Sequence, residues 1–211
     1  MDDATGKLAA VKLLQLPPRA SPGTPRKLHH EAALMRDLQH PNIVHFLGTE
    51  THGTELRIFQ EWVPGGSVAA LLSRFGPFSE PMTRSYARQA LAGIAYLHGR
   101  HIAHRDIKGS NMLVGANGVL KLADFGTSVV VPADNTARGI SASGSVQGTP
   151  YFMAPEVLQR SAHGLPVDIW GFGGALLQMA TGAPPWSAAG ATSPVALLRH
   201  MHNARRQVRA Q

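Results

Sequence analysis

The stretch that decides the fold is His104-Arg105-Asp106-Ile107-Lys108-Gly109-Ser110-Asn111, followed 18 residues after Asp106 by Asp124-Phe125-Gly126. Thirty-two residues beyond Asp124, Ala154-Pro155-Glu156 closes the intervening loop. Taken singly, these residues have ordinary readings, with Asp106 in a turn and Asn111 as a cap. Their joint order and spacing defeat those readings. Asn111 and Asp124 offer hard oxygen donors of the kind that suit Mg²⁺.

Outward from this core, Leu8–Leu14 mixes branched apolar residues around Lys7 and Lys12 and reads as a strand. Residues 16–26 hold Pro17, Pro18, Pro22 and Pro25 and read as a loop. Leu28, Ala32, Met35 and Leu38 recur at helical spacing, which His40-Pro41 ends. Ile43–Thr49 and Glu55–Val63 read as strands about a turn at His52-Gly53, and Pro64-Gly65-Gly66 breaks the pattern. From there the chain turns helical. Ser79 is a good N-cap, with Glu80 and Pro81 in the first turn. Met82, Tyr86, Ala87, Ala90, Leu91, Ile94 and Leu97 form an apolar stripe that Gly99 ends. Val119–Leu122 reads as a short strand after Asn117-Gly118. Residues 132–148 are rich in Ser, Gly and Ala and read as a long mobile loop. Val167–Thr181 is apolar on most sides and predicts a buried helix.

The 211 residues include no Cys, which excludes disulfides, zinc fingers and thiol chemistry. The net charge of +7 is concentrated in Arg199, Arg205, Arg206 and Arg209, leaving the body close to balanced. No aromatic residues are interleaved with that basic tail, so the charge argues for a solvated terminus and against nucleic acid as a partner. No apolar stretch reaches spanning length. The nearest, Gly171–Gly182, is interrupted by Gln178, so no membrane span is expected. Met1-Asp2-Asp3 lacks the layout of a signal peptide, and the expected location is cytoplasmic.

Three motifs in this order, with Ala9-Ala10-Val11-Lys12 upstream, resemble a eukaryotic protein kinase from about Lys7 to about His200. The resemblance implies an α+β bilobal fold, with a partial strand-rich N-lobe over residues 1–62 and a partial helical C-lobe over residues 63–211. It also implies transfer of the γ-phosphoryl of ATP, with Mg²⁺, to Ser/Thr hydroxyls. Asp106 would then orient the hydroxyl and accept its proton, and Lys108 would stabilise the transferring group. Asn111 and Asp124 would hold Mg²⁺. Lys12 would bind the nucleotide phosphates, partnered by Glu31 in the following helix. Gln60-Glu61-Trp62-Val63 resembles the hinge whose backbone binds the adenine edge, with Gln60 in the gatekeeper position and Ala10 and Leu113 flanking the base. Phe46, Met35, Phe125 and His104 match a stacked column between the lobes. Asp168 would anchor the backbone of the catalytic loop.

Lys108-Gly109-Ser110-Asn111 and Gly148-Thr149-Pro150-Tyr151-Phe152-Met153 are most similar to the sterile-type Ser/Thr kinases, particularly the MAP kinase kinase kinases. This implies a protein substrate, a MAP kinase kinase. Thr149 matches the threonine that bonds the catalytic Asp and Lys. Arg105 implies a site for an activation-loop phosphate, added by an upstream kinase or by autophosphorylation, with Ser145 the first candidate and Thr136, Ser141 and Ser143 weaker ones. Against that pattern the sequence is expected to be incomplete at both ends. Thr5-Gly6 stands where the strands and glycine-rich loop should already have passed, and the match fades after Pro194–Met201. Glu156 is then expected to lack its arginine partner and to sit unpaired in a buried position. Two functions stay open: an active Ser/Thr kinase, and a catalytically weak or silent kinase-like scaffold that binds partners.

Overall fold

A computed structural model describes residues 6–16, 31–132, 150–162, 164–187, 190 and 193–209. Its first layer is a three-stranded antiparallel sheet of β1 (Ala9–Gln15), β2 (Phe46–His52) and β3 (Glu55–Glu61), in the order β1-β3-β2. Ala10 pairs with Gln60 and Lys12 with Ile58, so the two-residue period puts these four side chains on one face. Helix α1, described over residues 31–36, covers that face. Ala32 packs there with Leu56 and Ile58, and Phe46 closes the cluster. The turn between β2 and β3 runs through Gly53 at φ 59, a left-handed conformation that glycine adopts without strain.

The strand expected over Ile43–Thr49 begins only at Phe46. Ile43 instead bridges Leu122 in parallel, and Asn42 and Val44 exchange backbone hydrogen bonds with Leu122 at 2.9 Å. A bulge between Phe46 and Gly48 marks where the chain changes partners. Residues 42–44 therefore fasten the sheet to the second layer.

That layer is mostly helical. Helix α2 (Val68–Phe75) is capped by Ser67 Oγ, which accepts from Ala70 N at 3.2 Å. Helix α3 (Glu80–His98) starts after Ser79, but this serine's side chain makes no capping bond. Its buried face runs through Thr83, Tyr86, Ala90, Gly93, Ile94 and Leu97, whereas Met82 and Leu91 of the expected stripe are exposed. The cause is a close approach at Gly93. A Cβ there would meet Asn42 O at 2.9 Å and Leu122 Cδ1 at 3.0 Å, which centres the packed face on the glycine.

Two short antiparallel pairs follow, β4 (Ile102–Ala103) with β7 (Val129–Val130), and β5 (Met112–Val114) with β6 (Leu120–Leu122). Then come α4 (Pro155–Leu158), α5 (Pro166–Thr181) and α6 (Pro194–Arg209). One continuous core joins the layers, from Met35 and Ile43 through Ile94, Leu97, Met112, Leu122 and Phe125 to Met179.

Helix α5, expected to be buried, is only partly so. Val167, Gly171, Ala175 and Met179 are buried, but Ile169 and Leu177 are 49% and 47% exposed and Trp170 is open as well. They line a groove of about 780 Å³ with His98, Glu156, Pro185 and Trp186. Gly173 and Gly174 also line the groove, where they offer no side chain to fill the space. Glu156 is half-buried at this groove and makes no ion pair among the described residues. No helix among the described residues is long and apolar enough to cross a membrane.

Candidate active site

The strand period aims Lys12 under the sheet, and one turn of α1 separates Glu31 from Met35 in the core. Lys12 Nζ lies 2.8 Å from Glu31 Oε1, 2.9 Å from Oε2 and 2.7 Å from Asp124 Oδ1. Burial works to lower the Lys12 pKa, but the hydrogen bonds and charges of Asp124 and Glu31 outweigh it and hold the ammonium above its ordinary 10.5. Burial likewise works to raise Asp124. The Lys12 hydrogen bond and charge, with the Gly126 N–H and His104, prevail and hold it below 3.8. A Cβ at Gly126 would come within 3.4 Å of Lys12, Asp124 and Glu31, so glycine leaves this cluster its room.

The loop after β4 carries the second cluster. Lys108 Nζ lies 2.8 Å from Asp106 Oδ2. Asn111 Nδ2 donates to Asp106 O at 2.9 Å and to Asp106 Oδ2 at 2.8 Å. Arg105 adopts φ 68 and Asp124 φ 65, left-handed conformations that a non-glycine residue holds only when its surroundings over-determine it. For Arg105 the constraint is visible. Asp168 on α5 accepts from Arg105 N at 2.7 Å and from His104 N at 2.9 Å. The Asp168 carboxylate also lies 2.8 Å from His98 Nε2, at the end of α3.

His104 is buried beside Phe125, with ring centroids 4.9 Å apart, and its Nε2 lies 3.1 Å from Ala123 O. Burial pushes its pKa below 6.5 despite the pull of Asp168 and Asp106. Met35, Phe125 and the partly buried Phe46 join the same core.

Between the clusters runs the segment after β3. Glu61 keeps its backbone in register with His45, while its Oε1 accepts from His45 N at 2.8 Å and Lys121 Nζ at 2.6 Å. Trp62 is exposed, and Val63 is buried with Val44, Ala123 and the partly buried Leu113. Gly65 N donates to Val114 O at 2.8 Å, an approach that a Cβ 2.3 Å from that oxygen would forbid. Gln60 Nε2 donates to Met35 Sδ at 3.1 Å, tying β3 to α1. Ala10 is half-buried opposite Gln60.

Thus the structure brings Lys12, Glu31 and Asp124 together, and separately Asp106, Lys108 and Asn111. Arg105 is exposed at the loop's turn. Ser145 and Thr149, with Thr136, Ser141 and Ser143, lie outside the described residues. Sequence reasoning missed His98 and the Glu61–Lys121 pair. His98 follows directly on the buried stripe, four residues past Ile94, and that placement was its available signal. Lys121 had none, because its partner lies 60 positions away.

As a cation site, the donors are of the right chemistry. Asn111 spends its amide N–H groups on Asp106, which leaves Oδ1 as the free oxygen. Lys12 occupies Asp124 Oδ1, which leaves Oδ2. Two hard oxygens suit Mg²⁺, which takes few protein ligands beside phosphate and water. No cluster of three or more His, Cys, Asp or Glu among the described residues could hold a metal alone.

The sequence matches the model of the protein kinase domain over residues 1–209. It is 45% identical over 188 residues to mitogen-activated protein kinase kinase kinase 3 of Arabidopsis thaliana, covering 87% of this chain and 28% of that protein. Against mitogen-activated protein kinase kinase kinase A of Dictyostelium discoideum it is 43% identical over 187 residues, 87% of this chain and 19% of that one. Mitogen-activated protein kinase kinase kinase 19 of Mus musculus is 43% identical over 184 residues, 85% of this chain and 14% of that one. The chain spans less than a third of the length of these relatives.

Proposed function

The chain belongs to the protein kinase family, among relatives that are MAP kinase kinase kinases, and on that premise we propose that it carries the catalytic residues of a Ser/Thr kinase acting in a MAP kinase cascade. Residues 1–62 and 63–211 form its two lobes, and its place is cytoplasmic. The nucleotide is ATP, its adenine edge on the backbone of Glu61–Val63 beside Gln60, flanked by Ala10 and Leu113. Lys12 binds its phosphates. The observation that carries this reading is the shared position of Lys12 between Glu31 and Asp124.

Phosphoryl transfer requires positioning and the neutralisation of spreading negative charge. Asp106, steadied by Asn111, accepts the proton of the substrate hydroxyl as its oxygen attacks the γ-phosphorus, and the bond from that phosphorus to the bridging oxygen breaks so that ADP leaves. Lys108 offers its charge to the transferring group. Mg²⁺, held by Asp124 and Asn111, supplies neutralisation of the phosphate charge when bound. Arg105 is the docking point for an activation-loop phosphate, Ser145 its first candidate and Thr149 the contact to Asp106 and Lys108.

The test is transfer from ATP with Mg²⁺ to a MAP kinase kinase by the intact protein, with Asp106→Asn alongside. Transfer to Ser or Thr that Asp106→Asn abolishes is expected. Equal transfer by both forms, or mainly phosphotyrosine in the product, overturns the reading.

A further inference from the structure

We infer that the outer face of α3 is a docking surface for an acidic segment of a partner protein, seated in the groove beside Arg84 and Arg88. Leu91 is 40% exposed, because the packed face of α3 is centred on Gly93 instead. Arg84 and Arg88 are exposed as well, and their spacing to Leu91 puts all three on one row of the helix. That row flanks a groove of about 470 Å³, lined by Glu80, Pro81, Arg84, Ser85, Arg88 and Gln89.

The inner wall of the groove is fixed. Gln89 spends its amide on the segments alongside: Oε1 accepts from Leu120 N at 2.8 Å and Asn42 Nδ2 at 3.3 Å, and Nε2 donates to Gly118 O at 3.3 Å. A surface on a 19-residue helix, pinned to a neighbouring strand, needs little ordering before it binds. Its charge is also unbalanced. Glu80 is the one carboxylate among the described residues of the lining, and Arg84 answers it in an i, i+4 pair. Arg88 makes no ion pair among the described residues. Gly115-Ala116-Asn117-Gly118, the turn that Gln89 holds, brings no acid to it either.

These features select the occupant. An open arginine fork takes a carboxylate in two parallel bonds, and the Ser85 hydroxyl, one turn from Arg88, can donate another. Glu80 on the wall repels a chain of phosphates, and no ring among the described lining residues offers a base a stacking surface, so the groove suits protein over nucleic acid. Leu91 stands one turn from Arg88 and matches an aliphatic neighbour. Alternate side chains of an extended segment lie about 7 Å apart, close to one helical turn of about 5.4 Å. The partner segment therefore carries an acid and an aliphatic residue two positions apart.

The experiment is fluorescence anisotropy of the labelled peptide Gly-Ala-Glu-Gly-Leu-Ala-Gly against the intact protein. It contains no hydroxyl to phosphorylate and no ATP is added, so its outcome is separate from that of the kinase reading. Expected is saturable binding with Kd below about 1 mM. Arg88→Glu, or Gln for Glu in the peptide, should weaken it at least about tenfold, and Leu91→Ser about threefold, with Tm held in the Arg88→Glu protein. A peptide with Lys for Glu should bind Arg88→Glu better than it binds the wild type. Arg74→Glu makes the same charge change on exposed surface at the end of α2 and should leave binding as it is. No saturable binding overturns the inference. So does an equal loss for Arg74→Glu and Arg88→Glu, which is bulk charge attraction only, or unaltered affinity for the Gln peptide. Binding of a labelled single-stranded oligonucleotide in place of the peptide overturns the acidic occupant.

Discussion

Lys12 Nζ sits 2.7 Å from Asp124 Oδ1, across 112 positions of sequence, while Glu31 holds the same ammonium from the other side. One cation thereby joins a strand, a helix and the turn that opens at Asp124. Glu31 is 4% exposed, so it depends on that cation far more than the open Asp124 does.

Replacing Lys12 by Met should therefore do two separable things. It leaves a buried carboxylate without its charge partner, at a cost of about 1–3 kcal/mol in stability. It also removes the cation proposed to bind the nucleotide phosphates, with an expected fall of about 100-fold or more in phosphoryl transfer. Adding Glu31→Gln should restore part of the lost Tm and none of the activity. Thermal melts and an ATP transfer assay on the single and double variants check both halves. A double variant less stable than Lys12→Met alone would refute the account.

His104 makes a prediction with a defined pH window. Burial holds its folded pKa below 6.5, so on acidification the unfolded chain takes up a proton that the folded chain refuses. Its contribution to stability is whole above about pH 6.5 and is lost as the pH falls from there through the folded value. His104→Phe keeps a ring beside Phe125 and removes the titration. It should be less stable than the wild type at pH 7, with a shallower fall in Tm between pH 7 and pH 5. Parallel slopes for the two proteins would show that other groups set the acid limit.

Much of this is legible in the sequence. The motif order at Asp106, Asn111 and Asp124 marks chemistry directly, because those residue types recur for what they hold. The Lys12 strand is readable from its branched apolar residues, and the helix carrying Glu31 from its period. The rest depended on approach distances that period does not encode. The α3 stripe turned because Gly93 lets Asn42 and Leu122 in close, so Met82 and Leu91 lost their expected burial. Helix α5 reads as apolar on most sides, yet composition could not say that Ile169 and Leu177 would face an open groove. His98 looked like an ordinary helix end until Asp168, 70 positions on, came to meet it.

Two glycines on α5 should respond oppositely to alanine. At Gly171 a Cβ would lie 2.7 Å from Ile107 O, which is backbone adjoining Asp106 and cannot step aside cheaply. At Gly173 a Cβ would meet nothing within 4 Å. Gly171→Ala is expected to cost about 1–3 kcal/mol and to lower transfer activity. Gly173→Ala should gain up to about 1 kcal/mol from helix propensity, with activity unchanged. Urea unfolding and initial rates decide it, and a Gly171→Ala protein of wild-type stability would contradict the packing described.

The last relationship is the bond from the end of β3 to β6. Glu61 Oε1 receives both Lys121 Nζ and His45 N, and the two charged side chains are only 27% and 20% exposed. A pair so placed is screened less than a surface pair, but both chains lose rotamer freedom in forming it. The net coupling should be about 0.5–1.5 kcal/mol in a double-mutant cycle of Glu61→Gln and Lys121→Met. Glu61→Gln retains an oxygen for His45 N, so the cycle isolates the charge contribution. The coupling should shrink between low salt and 1 M salt by less than half, because the ions are partly withdrawn from solvent. Urea unfolding of the four proteins at both salt levels measures it. Zero coupling at low salt would mean that this charge pair adds nothing to the backbone bonds of residues 42–44 and the shared core that join the two layers.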